Sequence, residues 1–191
     1  YVHCGETLEW DKWWENLRRG QVVVTNGPLL RPRVFGPGAE QEGALPGHVF
    51  HADQGKSVEL QIELKLSTRD PIEYLEVVKD GHTVHEVRLD QWAKAGGNLP
   101  PVKFDRSGWF LIKAVTSNPK TFRFASTGPY YVEVGYEPRV SKKAAQFFAD
   151  WVYERAGRIK LDDPKQKDEV LELHRQARDF WRKKLEMANV E

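Results

Sequence analysis

From Ser57 to Leu66 the chain alternates with a period of two: Val58, Leu60, Ile62, Leu64 and Leu66 are apolar, and Glu59, Gln61, Glu63 and Lys65 between them are polar. Successive side chains on a strand point to opposite faces, so this run has one face for a core and one for water. IEYLEVVKDGHTVHEVRL follows as two β-rich runs about Asp80-Gly81, a pair that suits a type I′ hairpin turn. After a looser stretch with Trp92 and Pro100-Pro101 come WFLIKAVT, TFRFAS and YYVEVGY, each bounded by Gly, Pro, Ser or Asn. Six to eight short strands with local turns, and no helix-length segment between them, predict a mainly β protein. The architecture expected is an Ig-like antiparallel β-sandwich over residues 36–138, entered through a Gly- and Pro-rich loop at 36–56.

The flanks have a helical period. Thr7 is placed to cap a helix over residues 7–19 whose Trp10, Trp13, Trp14 and Leu17 share one stripe, with Gly20 at the position that ends it. That aromatic face is expected to be buried; left open, it would make an apolar patch of interface character. QVVVT then reads as a strand, TNGP as a turn and LRPRVF as an extended continuation, so residues 1–35 read as a helix and strand segment ahead of the sandwich. Beyond Pro138, Ser141 caps a helix presenting Ala144, Phe148, Trp151, Val152 and Arg155 and ending near Gly157. Asp163-Pro164 opens a second helix, to about Met187, with an inner stripe of Val170, His174, Ala177, Trp181 and Leu185. A link of about five residues makes residues 139–191 an antiparallel helical hairpin.

Composition limits the partners. Twenty-nine basic against 28 acidic residues leave a formal charge of +1, which gives no long-range field to gather nucleic acid. A single cysteine, Cys4, excludes an internal disulfide and leaves the compartment open, exported or cytoplasmic. No apolar run reaches the roughly 18 residues of a membrane-spanning helix. The opening Tyr-Val-His-Cys, with no initiator Met and no signal-peptide features, reads as a cut from something longer.

Chemistry is sparse. His48, His51 and Asp53 are a local cluster of metal-ligand types, and an independent metalloenzyme would use them. In an extended segment, however, the two rings point to opposite faces, unlike the helical HExxH arrangement, and they read as loop histidines. His82 and His85 flank a hairpin turn with the same parity. His174 reads as a core histidine donating to a carbonyl. No nucleophile elbow and no phosphate-binding glycine loop is present, so no residue is assigned a catalytic or metal-ligating role. A carbohydrate- or ligand-binding β-sandwich module is the alternative reading, with Tyr130, Tyr131, Trp92 and Trp109 as a stacking platform.

Taken together, YVH, WWENLRRGQVVVTNGPLLRPRV, LPGHVF, STRDPIEYLEVVKDG and FASTGPYYVEVGY resemble the C-terminal part of PHP (polymerase and histidinol phosphatase) metallohydrolases of the carbaryl-hydrolase-like branch. The resemblance is strongest at VTNGPLL and covers nearly all of the chain. In that family a distorted seven-stranded β/α barrel holds a metal centre with His, Asp and Glu ligands, then hands the chain through such a helix, strand and TNGP turn to a β-rich domain. The resemblance implies that residues 1–35 close the barrel and that the N-terminal barrel of the same parent chain is the partner. The HxH-type metal motif is absent, so the implied divalent metal belongs to the parent and no cofactor is expected in this fragment. His3, Cys4 and Asn26 are the residues placed near the parent's site or seam. Without the barrel, the aromatic helix is expected to fold back on the sandwich or to mediate self-association.

Overall fold

The computed structural model describes residues 1–191 and divides the chain into two compact units, Tyr1–Pro138 and Arg139–Glu191. In the first, two β-sheets enclose one core and make an immunoglobulin-like sandwich. The smaller sheet has the order β2-β4-β7, with β2 at Leu29–Phe35, β4 at Val58–Ser67 and β7 at Asn98–Phe104. β4 is the strand read from the period-two run: Val58, Leu60, Ile62 and Leu64 are buried and the residues between them exposed.

Both edge strands of this sheet carry proline. Val34 exchanges backbone hydrogen bonds with Ala44 on the side of β2 away from β4. Pro32 has the parity of Val34, so its missing N–H lies on that free side and removes nothing from the β2–β4 ladder. Pro100 and Pro101 sit where the β4–β7 register slips between Leu60 and Ile62, a bulge on an edge strand. The stretch read as loose because of this proline pair is therefore a strand, preceded by a short helix, α2, at Leu89–Lys94.

The larger sheet has seven strands around β8 (Gly108–Thr116). On one side β8 pairs with β5 (Ile72–Lys79), which pairs with β6 (His82–Val87). On the other side its partner changes: β9 (Phe124–Thr127) lies along Lys113–Val115 and β10 (Tyr130–Val134) along Gly108–Phe110. Beyond β9 lies β1 (Val23–Thr25), and beyond β10 lies β3 (Val49–Ala52). The β3–β10 pair is parallel, the single exception in an otherwise antiparallel sandwich. At the break, the Thr127 hydroxyl accepts from the Ile112 amide at 3.1 Å, so a side chain at the end of β9 satisfies this strand donor. The Asp80-Gly81 turn takes φ of 49° and 90°, as a type I′ hairpin requires.

The core joins Leu30, Leu60, Ile62 and Phe104 of the small sheet to Phe50, Leu75, Val77, Phe110, Ile112 and Tyr130 of the large one. Ten strands form it, more than the six to eight expected, because β3 hides inside the Gly-rich loop and β7 behind its prolines. Residues 1–35 lie within this unit, with β1 and β2 as strands of its two sheets.

The helix near the N-terminus, α1, spans Trp10–Arg18 rather than starting at Thr7. The Thr7 hydroxyl donates to the Glu9 carboxylate at 3.2 Å instead of capping, and Glu9 occupies the N-cap. In the second unit, α3 (Lys142–Arg158) and α4 (Pro164–Glu186) are antiparallel. Ser141 caps α3 by accepting from the Ala144 amide, and Asp163 caps α4 by accepting from Lys165. The α4 stripe from Val170 to Leu185 is half-buried as expected. On α3 the inward stripe is Ala145, Phe148, Ala149, Val152 and Ala156, offset from the predicted one; Ala144, Trp151 and Arg155 face solvent. Small alanines at the seam let the helices approach, and Phe148 stacks on Trp181 with centroids 4.6 Å apart.

Candidate functional site

The N-terminal residues extend the large sheet past β1. The Tyr1 ammonium donates to the Val23 carbonyl at 2.8 Å, Val23 donates back to Tyr1, and the His3 amide donates to Gln21. Asn16, the one buried residue of α1, ties the helix to this strand: its amide donates to the His3 carbonyl at 2.6 Å. Gly20, at φ 76°, ends the helix as predicted, its amide donating to Leu17. Three glycines then meet backbone to backbone. A Cβ on Gly47 would overlap the Arg19 carbonyl, and one on Gly128 would overlap that of Gly20.

The tryptophans form a stripe on α1 that begins one turn before Asn16, and its expected burial is met only in part, at the half-buried Trp13. Trp10 is 71% exposed and Trp14 37%. They pack on one another instead: Trp13 and Trp14 meet edge to face at 4.8 Å, and Trp10 lies parallel to Trp13 at 5.9 Å. The helix is only nine residues long and anchored by a polar residue and a glycine contact, so its apolar side is covered only in part. Leu17 completes an apolar patch of interface type.

Asn26 faces a different group. Its side chain replaces a strand residue: the carbonyl accepts from the Phe124 amide at 2.8 Å and the amide donates to the Phe122 carbonyl at 3.0 Å. The Thr25 hydroxyl accepts from Gly27 and donates to the Pro28 carbonyl, closing the turn on itself. Nearby, Asp70 holds Arg123 at 2.8 Å and Asn118 at 2.9 Å. The TNGP turn is thus fastened to the loop before β9. The Cys4 thiol is half-buried and donates to the Val2 carbonyl at 3.6 Å.

His3 alone of the three opens into a cavity. A groove of about 410 Å³ runs along the free side of β2, between that strand and the residues about β1. Val22, Leu30, Pro32, Leu45 and Pro46 give it apolar walls, and Arg31, Arg33, Lys65 and Glu63 reach it from the outward face of the small sheet. Arg31 and Arg33 point the same way because they are two apart on a strand. The LRPRVF pattern contained that signal; the pairing with Lys65 did not follow from sequence, since it needs the β2–β4 register. His3 is held below its ordinary pKa, first by partial burial, then by the Arg33 and Lys12 charges.

The remaining candidates stay apart. His48 sits edge-on to Phe50 at 4.6 Å, and burial, then the charge of His51, lowers its pKa. His51 faces solvent, stacks on Tyr136 and approaches Glu133 at 3.5 Å. His85 contacts the Pro101 carbonyl at 3.1 Å, joining β6 to β7. His174 contacts the Val170 carbonyl at 2.8 Å, as read from its helix face. No group of three or more His, Cys, Asp or Glu side chains is gathered to hold a metal ion. The aromatic platform is not formed either: Tyr130 is fully buried against Phe110, and Trp92 packs against the core. Tyr131 and Trp109 remain as a cross-strand pair.

No helix is long and apolar enough to cross a membrane. No family model and no curated protein matches the chain. Among solved structures, the fibronectin(III)-like modules of Clostridium thermocellum CbhA are similar to it at 9% identity and a TM-score of 0.31, over 53% of this chain and 97% of theirs. The CARDB domain of the PF1109 protein from Pyrococcus furiosus, determined in complex with di-metal ions, is similar at 13% identity and a TM-score of 0.27, over 56% of this chain and 94% of its own.

Proposed function

We propose that this chain is a non-catalytic accessory module from the C-terminal side of a larger PHP-like, metal-dependent hydrolase, and that it seats the parent's metal-binding barrel on the tryptophan face of α1. The observation that carries the reading is the mutually packed Trp10, Trp13 and Trp14 cluster, with Trp10 and Trp14 open to solvent. Aromatic rings on a helix are the residue type that anchors interfaces, and docking a partner would bury the apolar surface that Trp10 and Trp14 leave exposed. The resemblance of WWENLRRGQVVVTNGPLL supplies the occupant, since in that family this stretch follows the barrel. The parent's divalent metal does not fit the residues of this chain: no ligand set is assembled, and His48 and His51 are spent on ring contacts with Phe50 and Tyr136. No chemical step is therefore assigned here.

Two measurements test the reading. The isolated chain, supplied with divalent metals, is expected to leave esters, carbamates and phosphoesters unhydrolysed; metal-dependent turnover at ordinary rates of about 1 per second or more overturns the non-catalytic role. The segment encoded upstream in the same reading frame, expressed separately, is expected to bind this chain, and Trp10→Ser with Trp14→Ser to abolish binding. A start codon directly before Tyr1 would sink the proposal. So would concentration-dependent self-association through the tryptophans in place of binding to the upstream segment.

A further inference from the structure

We propose that the groove along β2 is a binding site for a small organic carboxylate with a compact apolar body, its carboxylate on Arg33 and its body against Val22, Leu29 and Leu45. This holds whether or not a barrel docks on α1. The first support is the state of Arg33. The other half-buried cations of the sandwich each have a close acceptor: Lys113 meets Glu76 at 2.8 Å, Arg123 meets Asp70 at 2.8 Å, and Lys79 donates to the Lys103 carbonyl at 2.6 Å. Arg33 is half-buried too, yet its sole side-chain hydrogen bond is a long one, 3.4 Å, to the neighbouring Pro32 carbonyl. Glu63, its cross-strand neighbour, forms no ion pair with it. A guanidinium fork kept partly from water without an anion is a preformed bidentate donor, and a carboxylate is the group that matches it.

The second support is the balance of charge. In a chain of net charge +1, the groove collects Arg31, Arg33 and Lys65 against one carboxylate, Glu63. Arg31 is occupied only by the Ser67 hydroxyl at 2.9 Å. The third is size. A volume of about 410 Å³ lies within the range of small-ligand pockets and suits one or two fused rings, and the mixed lining of apolar walls with a few convergent polar groups is that of such sites. His3 at the rim, its pKa lowered by burial and then by the Arg33 and Lys12 charges, can report on what arrives.

Isothermal titration with naphthoate tests the inference, with naphthylmethanol as the uncharged control and an acetylated Asp/Glu-rich peptide as the competing occupant. Naphthoate is expected to bind one site with a Kd of about 1 mM or tighter, and naphthylmethanol at least ~10-fold more weakly. Arg33→Gln should weaken naphthoate by about 10-fold and Lys65→Gln, at an exposed position that leaves the fold alone, by about 3-fold. The His3 imidazole, followed by NMR, should titrate at higher pH with naphthoate bound, because a carboxylate beside Arg33 offsets the charge that holds His3 down. Equal binding of the alcohol, an unchanged Kd in both variants, an unmoved His3 titration, or binding of the acidic peptide alone would each overturn it.

Discussion

Phe110 and Phe148 are both stacked aromatic residues, one in each unit, and their surroundings differ. Phe110 lies 5.0 Å from Tyr130 and is wholly enclosed; Phe148 lies 4.6 Å from Trp181 and remains half open. The difference is one of layers. Two sheets face each other over a broad area and close around a ring, whereas two helices share one narrow seam and leave Phe147, Trp151, Leu173 and Phe180 outside. Equal ring contacts therefore accompany unequal burial, and burial sets most of the stability.

That contrast can be broken most directly at the two rings. Phe110→Ala should destabilise the sandwich by about 3–5 kcal/mol in urea unfolding followed by near-UV circular dichroism. Phe148→Ala should cost the hairpin about 1–2 kcal/mol, since half its surface already meets water. Equal losses would refute the comparison. Next in size, Asn26→Ala should cost the sandwich about 1–3 kcal/mol, because two backbone groups at Phe122 and Phe124 lose a partner from the TNGP turn. Asp163→Ala removes only a helix cap, about 1 kcal/mol, and hydrogen exchange should show faster opening in the first turn of α4 with β8 unaffected.

The smallest effect is on pH dependence. His3 and His48 titrate below their ordinary value in the folded chain, so the unfolded chain takes up protons first as pH falls. Their contribution is full above the unfolded pKa of about 6.5 and declines as pH drops from there toward the lower folded values. His48→Gln should flatten the fall of the sandwich midpoint between pH 7 and 5. An unchanged slope in a His3→Gln, His48→Gln double variant would show that carboxylates account for all of it.

The alternation of β4, the Asp80-Gly81 turn, the Ser141 and Asp163 caps and the Gly20 stop were legible because each is a local signal with one mechanism. β7 was not, because Pro100-Pro101 argues against a strand until it is known that the strand lies on an edge at a bulge. The stripe on α1 was legible as a stripe, but what it faces depends on where Asn16 and Gly20 anchor the helix, which is tertiary. The groove was hidden for the same reason: Arg31, Arg33 and Lys65 meet only through the β2–β4 register, about 30 residues apart in sequence.

The meeting of Gly20, Gly47 and Gly128 bears on binding entropy. With no side chains between them, the end of α1 is clamped by backbone on backbone, leaving no rotamers to rearrange when something lands on the tryptophans. A partner would meet a surface already ordered and lose little conformational freedom in fixing it, so slow dissociation is expected from a small footprint. Any residue with a Cβ at Gly47 would wedge α1 off its seat and surrender that advantage while leaving every tryptophan in place.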